Sequence, residues 1–202
     1  MKSYQEITKE LAKKDLILAK AIETVEKEIK PSPDIDVYYS LLNSIVSQQL
    51  SVKVAQIIWR RLTLLFHDQY PNAKQILLTE DEDLRAIGLS RQKIKYINNV
   101  AQFSLDNDIS FEYLNKKTDD EIISYLSQIV GIGKWTVQMI LMFPMDRLNI
   151  FPVDDLGIQT KMKAWYNIDL EKKELRNKLV EIAEKWHPYK TLASKYIWES
   201  VI

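Results

Sequence analysis

The sequence predicts an all-α protein, and three observations support this. Apolar residues recur at intervals of three and four along most of the chain, which is the spacing of one helix face. No segment keeps the alternation of apolar and polar residues that a half-buried strand shows. Only four of the 202 residues are glycine, although folds rich in tight turns use glycine often. We expect a compact helical protein of two lobes with a cleft.

The apolar stripes follow one another along the chain and end near prolines or glycines. The first runs from Leu11 to Ile29 and stops before Pro31. Later stripes begin at Leu41, Val54, Ile94, Ile122, Trp135, Ile158, Leu175 and Tyr189. We expect one helical lobe at about 36–150 and a second formed by 1–35 with 151–202.

Composition excludes several classes of site and location. The absence of cysteine rules out disulfides, Cys-ligated zinc and Cys-bound iron–sulfur clusters. Two histidines, His67 and His187, are too few for a histidine-rich metal site, so we expect no metal bound by side chains. No apolar run approaches the ~20 residues of a membrane span, and the N-terminus is unlike a signal peptide. We expect a cytoplasmic protein that spans no membrane.

Charge is balanced in total but unevenly distributed. The chain has 28 basic and 28 acidic residues, yet segments 44–66 and 85–104 contain basic residues and no acid. Acids cluster at 80–83 and 119–121. A neutral total can therefore hide a basic face that meets a phosphate backbone. Charge alone is more typical of solvated helix faces.

The segment Val130-Gly131-Ile132-Gly133-Lys134 interrupts two helical stripes. Its two glycines allow a sharp turn and a close approach to another surface. The helix that follows begins at Lys134, where unpaired N–H groups and the lysine suit a phosphate oxygen. Backbone carbonyls near Val130 could hold a monovalent cation, and we expect no other cofactor. An ordinary helix–helix turn is the alternative for this pair of glycines.

The hairpin lies within a longer motif. Residues 126–141 read LSQIVGIGKWTVQMIL, and 151–156 read FPVDDL. This pairing resembles the helix–hairpin–helix superfamily of DNA base-excision glycosylases, and is most similar to its alkylbase (3-methyladenine type II) branch. Segments 45–52, 87–93 and 186–198 agree with that branch, so the resemblance spans about 39–198. It implies an all-α fold that contains a helix–hairpin–helix motif.

Two adjacent aspartates, Asp154 and Asp155, precede a helical stripe. One aspartate at such a junction is usually an N-cap, which leaves the other for a different role. The resemblance implies that Asp155 is catalytic, with Asp154 as the cap or a support. The residues alone do not choose between the two. A carboxylate here would stabilise oxocarbenium-like charge on the sugar and orient or deprotonate water.

Trp135 distinguishes this chain from bifunctional relatives, which carry a lysine nucleophile at the corresponding hairpin position. The resemblance therefore implies a glycosylase that does not cut the strand. It also places Trp135 and Tyr189 in the base pocket, with Met139 as a third wall. Aromatic rings attract a cationic base by about 0.5–2 kcal/mol each. We expect the remaining tryptophans to be structural: Trp59, Trp165, Trp186 and Trp198.

A loop at 47–50 resembles the wedge that such enzymes insert into DNA to flip a base. Gln49 occupies the inserting position by motif, whereas Leu50 is the more usual apolar type. A helix–helix turn with Leu50 in the core is the alternative. The residues expected to bind DNA are Gln48, Gln49, Leu50, Arg91, Lys93, Gly131, Gly133, Lys134 and Thr136.

Together these features predict a monofunctional DNA glycosylase that excises alkylated purines from double-stranded DNA by base flipping and hydrolysis of the N-glycosidic bond. We expect it to act as a monomer in base excision repair. One alternative is a helix–hairpin–helix protein that binds DNA without catalysis. Others are a glycosylase for deaminated bases and an all-α interaction scaffold.

Overall fold

The computed structural model describes residues 2–31, 36–67 and 69–202. These residues form helices and no strand, which confirms the predicted all-α class. The helices are α1 (Tyr4–Lys14), α2 (Leu16–Glu23), α3 (Val37–Ser47), α4 (Val52–Leu65), α5 (Ala73–Leu78), α6 (Asp81–Ala86), α7 (Arg91–Asp106), α8 (Phe111–Leu114), α9 (Asp119–Leu126), α10 (Lys134–Met142), α11 (Leu156–Tyr166), α12 (Lys172–Glu184) and α13 (Lys190–Glu199).

The chain divides into two compact units. Unit 1 comprises Met1–Pro33 with Leu141–Ile202, and unit 2 comprises Asp34–Ile140. Unit 2 ends at Ile140, whereas the sequence places this boundary near residue 150. The other predicted boundary, at residue 35, lies outside the described residues. None of the helices in the described ranges is long and apolar enough to cross a membrane.

Unit 1 packs the apolar faces of α1, α2, α11, α12 and α13 into one core. Trp186, which is completely buried, lies in this core. The first predicted stripe is two helices rather than one. Asp15 adopts an extended backbone after α1, and its side chain accepts hydrogen bonds from the N–H groups of Ile17 and Leu18, so the helix restarts as α2.

Unit 2 contains the helix–hairpin–helix motif, formed by α9, the hairpin and the start of α10. Helix α7 packs against α3 and α5 in this unit. Side chains cap the N-termini of α4, α7 and α9, with Ser51, Ser90 and Thr118 in this role. Helix α7 lies beside the hairpin, so its side chains can contact the hairpin backbone and hold it in place.

Candidate active site and nucleic-acid interface

The two hairpin glycines have different roles. Gly131 has φ +107°, a left-handed conformation that side chains rarely adopt. A Cβ on Gly131 would overlap the ring of Tyr96 on α7. A Cβ on Gly133 would meet no heavy atom of the described chain within 4 Å. Gly131 therefore allows the hairpin to pack, while Gly133 faces space that another molecule can enter.

Side chains from two other elements hold the hairpin carbonyls. Asn99 on α7 donates its amide to the Val130 carbonyl at 3.1 Å. Gln48, the C-cap of α3, donates its amide to the Gly131 carbonyl at 3.1 Å. Gln48 thus joins the predicted wedge loop to the hairpin within unit 2. The Val130 carbonyl oxygen has a second lone pair besides the one that accepts from Asn99. Binding of a monovalent cation at this carbonyl stays a prediction.

The start of α10 presents the residues expected to meet DNA and the base. Lys134 is exposed, and Trp135 is 42% exposed. The first backbone bond of the helix runs from the Val137 N–H to the Gly133 carbonyl at 3.1 Å. Thr136, another residue expected to bind DNA, is only 4% exposed. Met139 is half-buried one turn later.

The predicted wedge loop is exposed at its tip. Gln49 is exposed and has a left-handed backbone with φ 57°. Leu50 is 36% exposed. The alternative interpretation placed Leu50 in the core, and this exposure contradicts it. Lys93 donates to the Val46 carbonyl at 2.7 Å near the end of α3, and burial lowers the pKa of this lysine. Lys93 thus supports the loop, whereas Arg91 is exposed at the start of α7.

The adjacent aspartates Asp154 and Asp155 lie just before α11 and make different contacts. Asp155, not Asp154, is the N-cap of α11, because it directly precedes the first helical residue and its Oδ1 accepts the Ile158 N–H at 2.8 Å. Of the two roles expected for Asp154, cap or support, the structure excludes the cap. Asp154 pairs with Arg176 on α12 at 2.6 Å, and both side chains are half-exposed.

Trp198 contacts the predicted catalytic carboxylate, although the sequence indicated only a structural role. Its Nε1 donates to Oδ1 of Asp155 at 2.8 Å. Its ring stacks on Phe143, with centroids 5.8 Å apart and an interplanar angle of 18°. The two partners of this hydrogen bond are 43 residues apart in the chain. No short motif links them, so the contact depends on the tertiary packing of unit 1.

Tyr189, the predicted pocket residue of unit 1, is half-buried immediately before α13. The Nζ atoms of Lys2 and Lys14 lie 5.8 and 6.0 Å from the centroid of its ring. Lys14 also donates to the His187 carbonyl at 2.9 Å. These ammonium groups make with the Tyr189 ring the kind of cation–π contact that the prediction assigns to a cationic base.

Comparison with known proteins gives the family. The model of a family described as "HhH-GPD superfamily base excision DNA repair protein" matches residues 42–185. The chain belongs to the HhH-GPD superfamily. This membership confirms the resemblance that the hairpin and the FPVDDL segment indicate.

Relatives in this superfamily are similar over most of the chain. DNA-3-methyladenine glycosylase 1 of Schizosaccharomyces pombe is 31% identical over 165 residues, which cover 81% of this chain and 72% of that protein. YfjP of Bacillus subtilis is 31% identical over 174 residues, which cover 83% of this chain. The chain spans only 60% of the length of YfjP.

A solved structure supports the same fold. It is that of the S. pombe 3-methyladenine DNA glycosylase (Mag1) in complex with abasic DNA. The match has a TM-score of 0.84 and 26% sequence identity, and it covers 96% of this chain and 95% of that chain.

Proposed function

We propose that this protein is a monofunctional DNA glycosylase that excises alkylated purines of the 3-methyladenine type from double-stranded DNA in base excision repair. One observation carries the proposal. Asp155, a half-buried carboxylate at the start of α11, is held by two N–H donors in a chain of the HhH-GPD superfamily. The names of the relatives point to the same substrate class.

A single carboxylate is sufficient for this reaction. As the bond between C1′ and the base breaks, the base keeps the electron pair and the sugar gains oxocarbenium-like charge. The Asp155 anion would stabilise that charge. Water then attacks C1′ and passes a proton to the carboxylate. An alkylated purine carries positive charge before cleavage and leaves as a neutral base, so no acid is needed to protonate it.

Trp135 supports a monofunctional reaction. Strand-cutting relatives use a hairpin lysine at the corresponding position to form a Schiff base with the sugar. An indole cannot form this bond, and Lys134 is one residue earlier on α10. The products should therefore be a free base and an abasic site in an intact strand.

The exposed groups of unit 2 support DNA binding. Gly133 and Lys134 would contact phosphate, and the loop tip at Gln49 and Leu50 would replace a flipped base in the stack. Phosphate contacts make binding weaker as salt concentration rises. The base-contacting roles that the resemblance implies for Trp135, Met139 and Tyr189 stay predictions. The monomeric state and the cytoplasmic location stay predictions.

The test is base release from methylated duplex DNA, with the undamaged duplex as the control. We expect free methylated purines, together with abasic sites that break only after alkali treatment. Direct strand cuts would contradict the monofunctional mechanism. A folded protein that binds DNA but releases no methylated, deaminated or uracil base would be a binding module. Release only from deaminated or uracil-containing DNA would overturn the alkylpurine assignment.

A further inference from the structure

We infer that Trp198 is a positioning residue for Asp155, an inference that rests on the proposed function. Two donors from different elements meet on the same oxygen of Asp155. The Ile158 N–H of α11 and the Trp198 indole N–H of α13 both lie 2.8 Å from Oδ1. Rotation of the carboxylate would break both hydrogen bonds. The pair therefore holds the carboxylate in one orientation, which a charge-stabilising group needs.

Three contacts fix the position of Trp198. Its ring stacks on Phe143, and its Nε1 is used by Asp155. Its backbone carbonyl accepts a hydrogen bond from Nζ of Lys161 on α11, and the same Nζ donates to the Ser200 carbonyl at 2.7 Å. Lys161 thus ties the end of α13 to the helix that Asp155 caps. The indole donor is fixed relative to the carboxylate by more than its own hydrogen bond.

Gly157 leaves the space that this arrangement needs. A Cβ on Gly157 would lie 3.1 Å from Oδ1 of Asp155 and 3.3 Å from Nε1 of Trp198. Both distances are shorter than ordinary van der Waals contacts. A methyl group there would therefore displace Oδ1 of Asp155 or Nε1 of Trp198, which are hydrogen-bonded to each other. Gly157 is exposed in the first turn of α11, where alanine is the better helix former. An alanine should therefore disturb the pair without weakening the helix.

The chain offers a matched control for the loss of an indole donor. Trp165 in the same unit donates its Nε1 to Oγ of Ser200 at 3.0 Å and is half-buried, as Trp198 is. Trp198→Phe and Trp165→Phe each remove one indole N–H and keep an aromatic ring. Gly157→Ala acts on the same Asp155 oxygen while the Trp198 indole is retained. The three variants separate loss of positioning from general loss of packing.

The experiment measures two quantities for each variant: the single-turnover rate of base release from methylated duplex and the Kd for duplex that contains an abasic-site analogue. For Trp198→Phe and Gly157→Ala we expect the rate to fall by about tenfold or more, the typical effect of losing a hydrogen bond to a charged group, with the Kd within about twofold. Trp165→Phe should keep the rate within about twofold. Circular dichroism and thermal unfolding check that each variant is folded.

Two outcomes would overturn the inference while the proposed function stands. In the first, the wild type is active and Trp198→Phe retains the rate of Trp165→Phe. In the second, the lower rate of Trp198→Phe is fully explained by its weaker DNA binding or its smaller folded fraction, and Gly157→Ala keeps the wild-type rate. A folded wild type that releases no base overturns the proposed function and this inference together.

Discussion

Two aspartates of unit 1, Asp15 and Asp155, make the same local arrangement in different surroundings. Each caps a helix, α2 or α11, and each accepts an indole N–H, from Trp186 at 3.0 Å or from Trp198 at 2.8 Å. Asp15 is only 5% exposed and also accepts the Tyr166 hydroxyl at 2.7 Å. Burial, with the bond to Asp15, raises the pKa of that hydroxyl, so it stays a donor. Asp155 is only half-buried.

The difference shows how one arrangement, an N-cap aspartate that accepts an indole N–H, can serve either stability or function. The Asp15 carboxylate is enclosed by its donors in the core, so it can only stabilise the fold. The Asp155 carboxylate has the same kind of donors, but the residue as a whole is only half-buried. The hairpin glycines of unit 2 make a similar contrast, since Gly131 packs on Tyr96 and Gly133 faces open space. In both pairs the enclosed member should control stability, and the open member should control function.

The largest effect on stability should come from Asp15→Ala. The change removes the acceptor of the Trp186 N–H and the Tyr166 hydroxyl, and it removes the cap of α2. We expect the free energy of unfolding to fall by about 3–5 kcal/mol in urea denaturation. Base release per folded molecule should stay at the wild-type level. A fall of less than 1 kcal/mol would contradict the role assigned to the Asp15 carboxylate.

Gly131→Ala should be the next most damaging change. Alanine would have to adopt φ +107° and would overlap the Tyr96 ring. Backbone strain and overpacking together should lower the free energy of unfolding by about 2–4 kcal/mol. The double variant Gly131→Ala with Tyr96→Ala is the control, because it removes the overlap. If the double variant loses as much free energy of unfolding as the two single variants lose together, the overlap with the ring is not the cause.

Gly133→Ala should have the opposite profile. Its added methyl group meets no atom of the described chain, so the free energy of unfolding should stay equal or rise by up to about 1 kcal/mol. If DNA approaches the backbone there, the Kd for duplex DNA should rise by about tenfold, a loss of about 1.4 kcal/mol. Fluorescence anisotropy at fixed salt measures the Kd. Wild-type affinity in Gly133→Ala would show that the phosphate does not approach this glycine.

The smallest effect is expected for Arg176→Ala, which removes the partner of Asp154. Both side chains of this ion pair are about half-exposed. Such surface pairs contribute about 0–1 kcal/mol, so unfolding and base release should hardly change. Measurements at low and high salt would detect any contribution. A tenfold loss of base release would instead place Asp154 in the reaction.

Helical periodicity and the glycine spacing predicted the all-α class and the hairpin, because both are local properties of the chain. The break at Asp15 was missed, since an aspartate within an apolar stripe is compatible with a continuous helix. The position of the N-cap at Asp155 rather than Asp154 depends on where α11 begins, and helix ends are poorly defined by periodicity. The contact of Trp198 with Asp155 depends on packing between distant segments. The sequence therefore indicated the candidate residues better than their partners.

The most direct test of the central claim compares Asp155→Asn with Asp154→Asn. Asparagine can still cap α11 through its amide oxygen, so the first variant removes the charge while keeping the helix start. We predict that Asp155→Asn lowers the single-turnover rate of base release from methylated duplex by about a hundredfold or more and still binds that DNA. Asp154→Asn should stay close to the wild type. Full activity in Asp155→Asn, or loss only in Asp154→Asn, would contradict the catalytic role of Asp155.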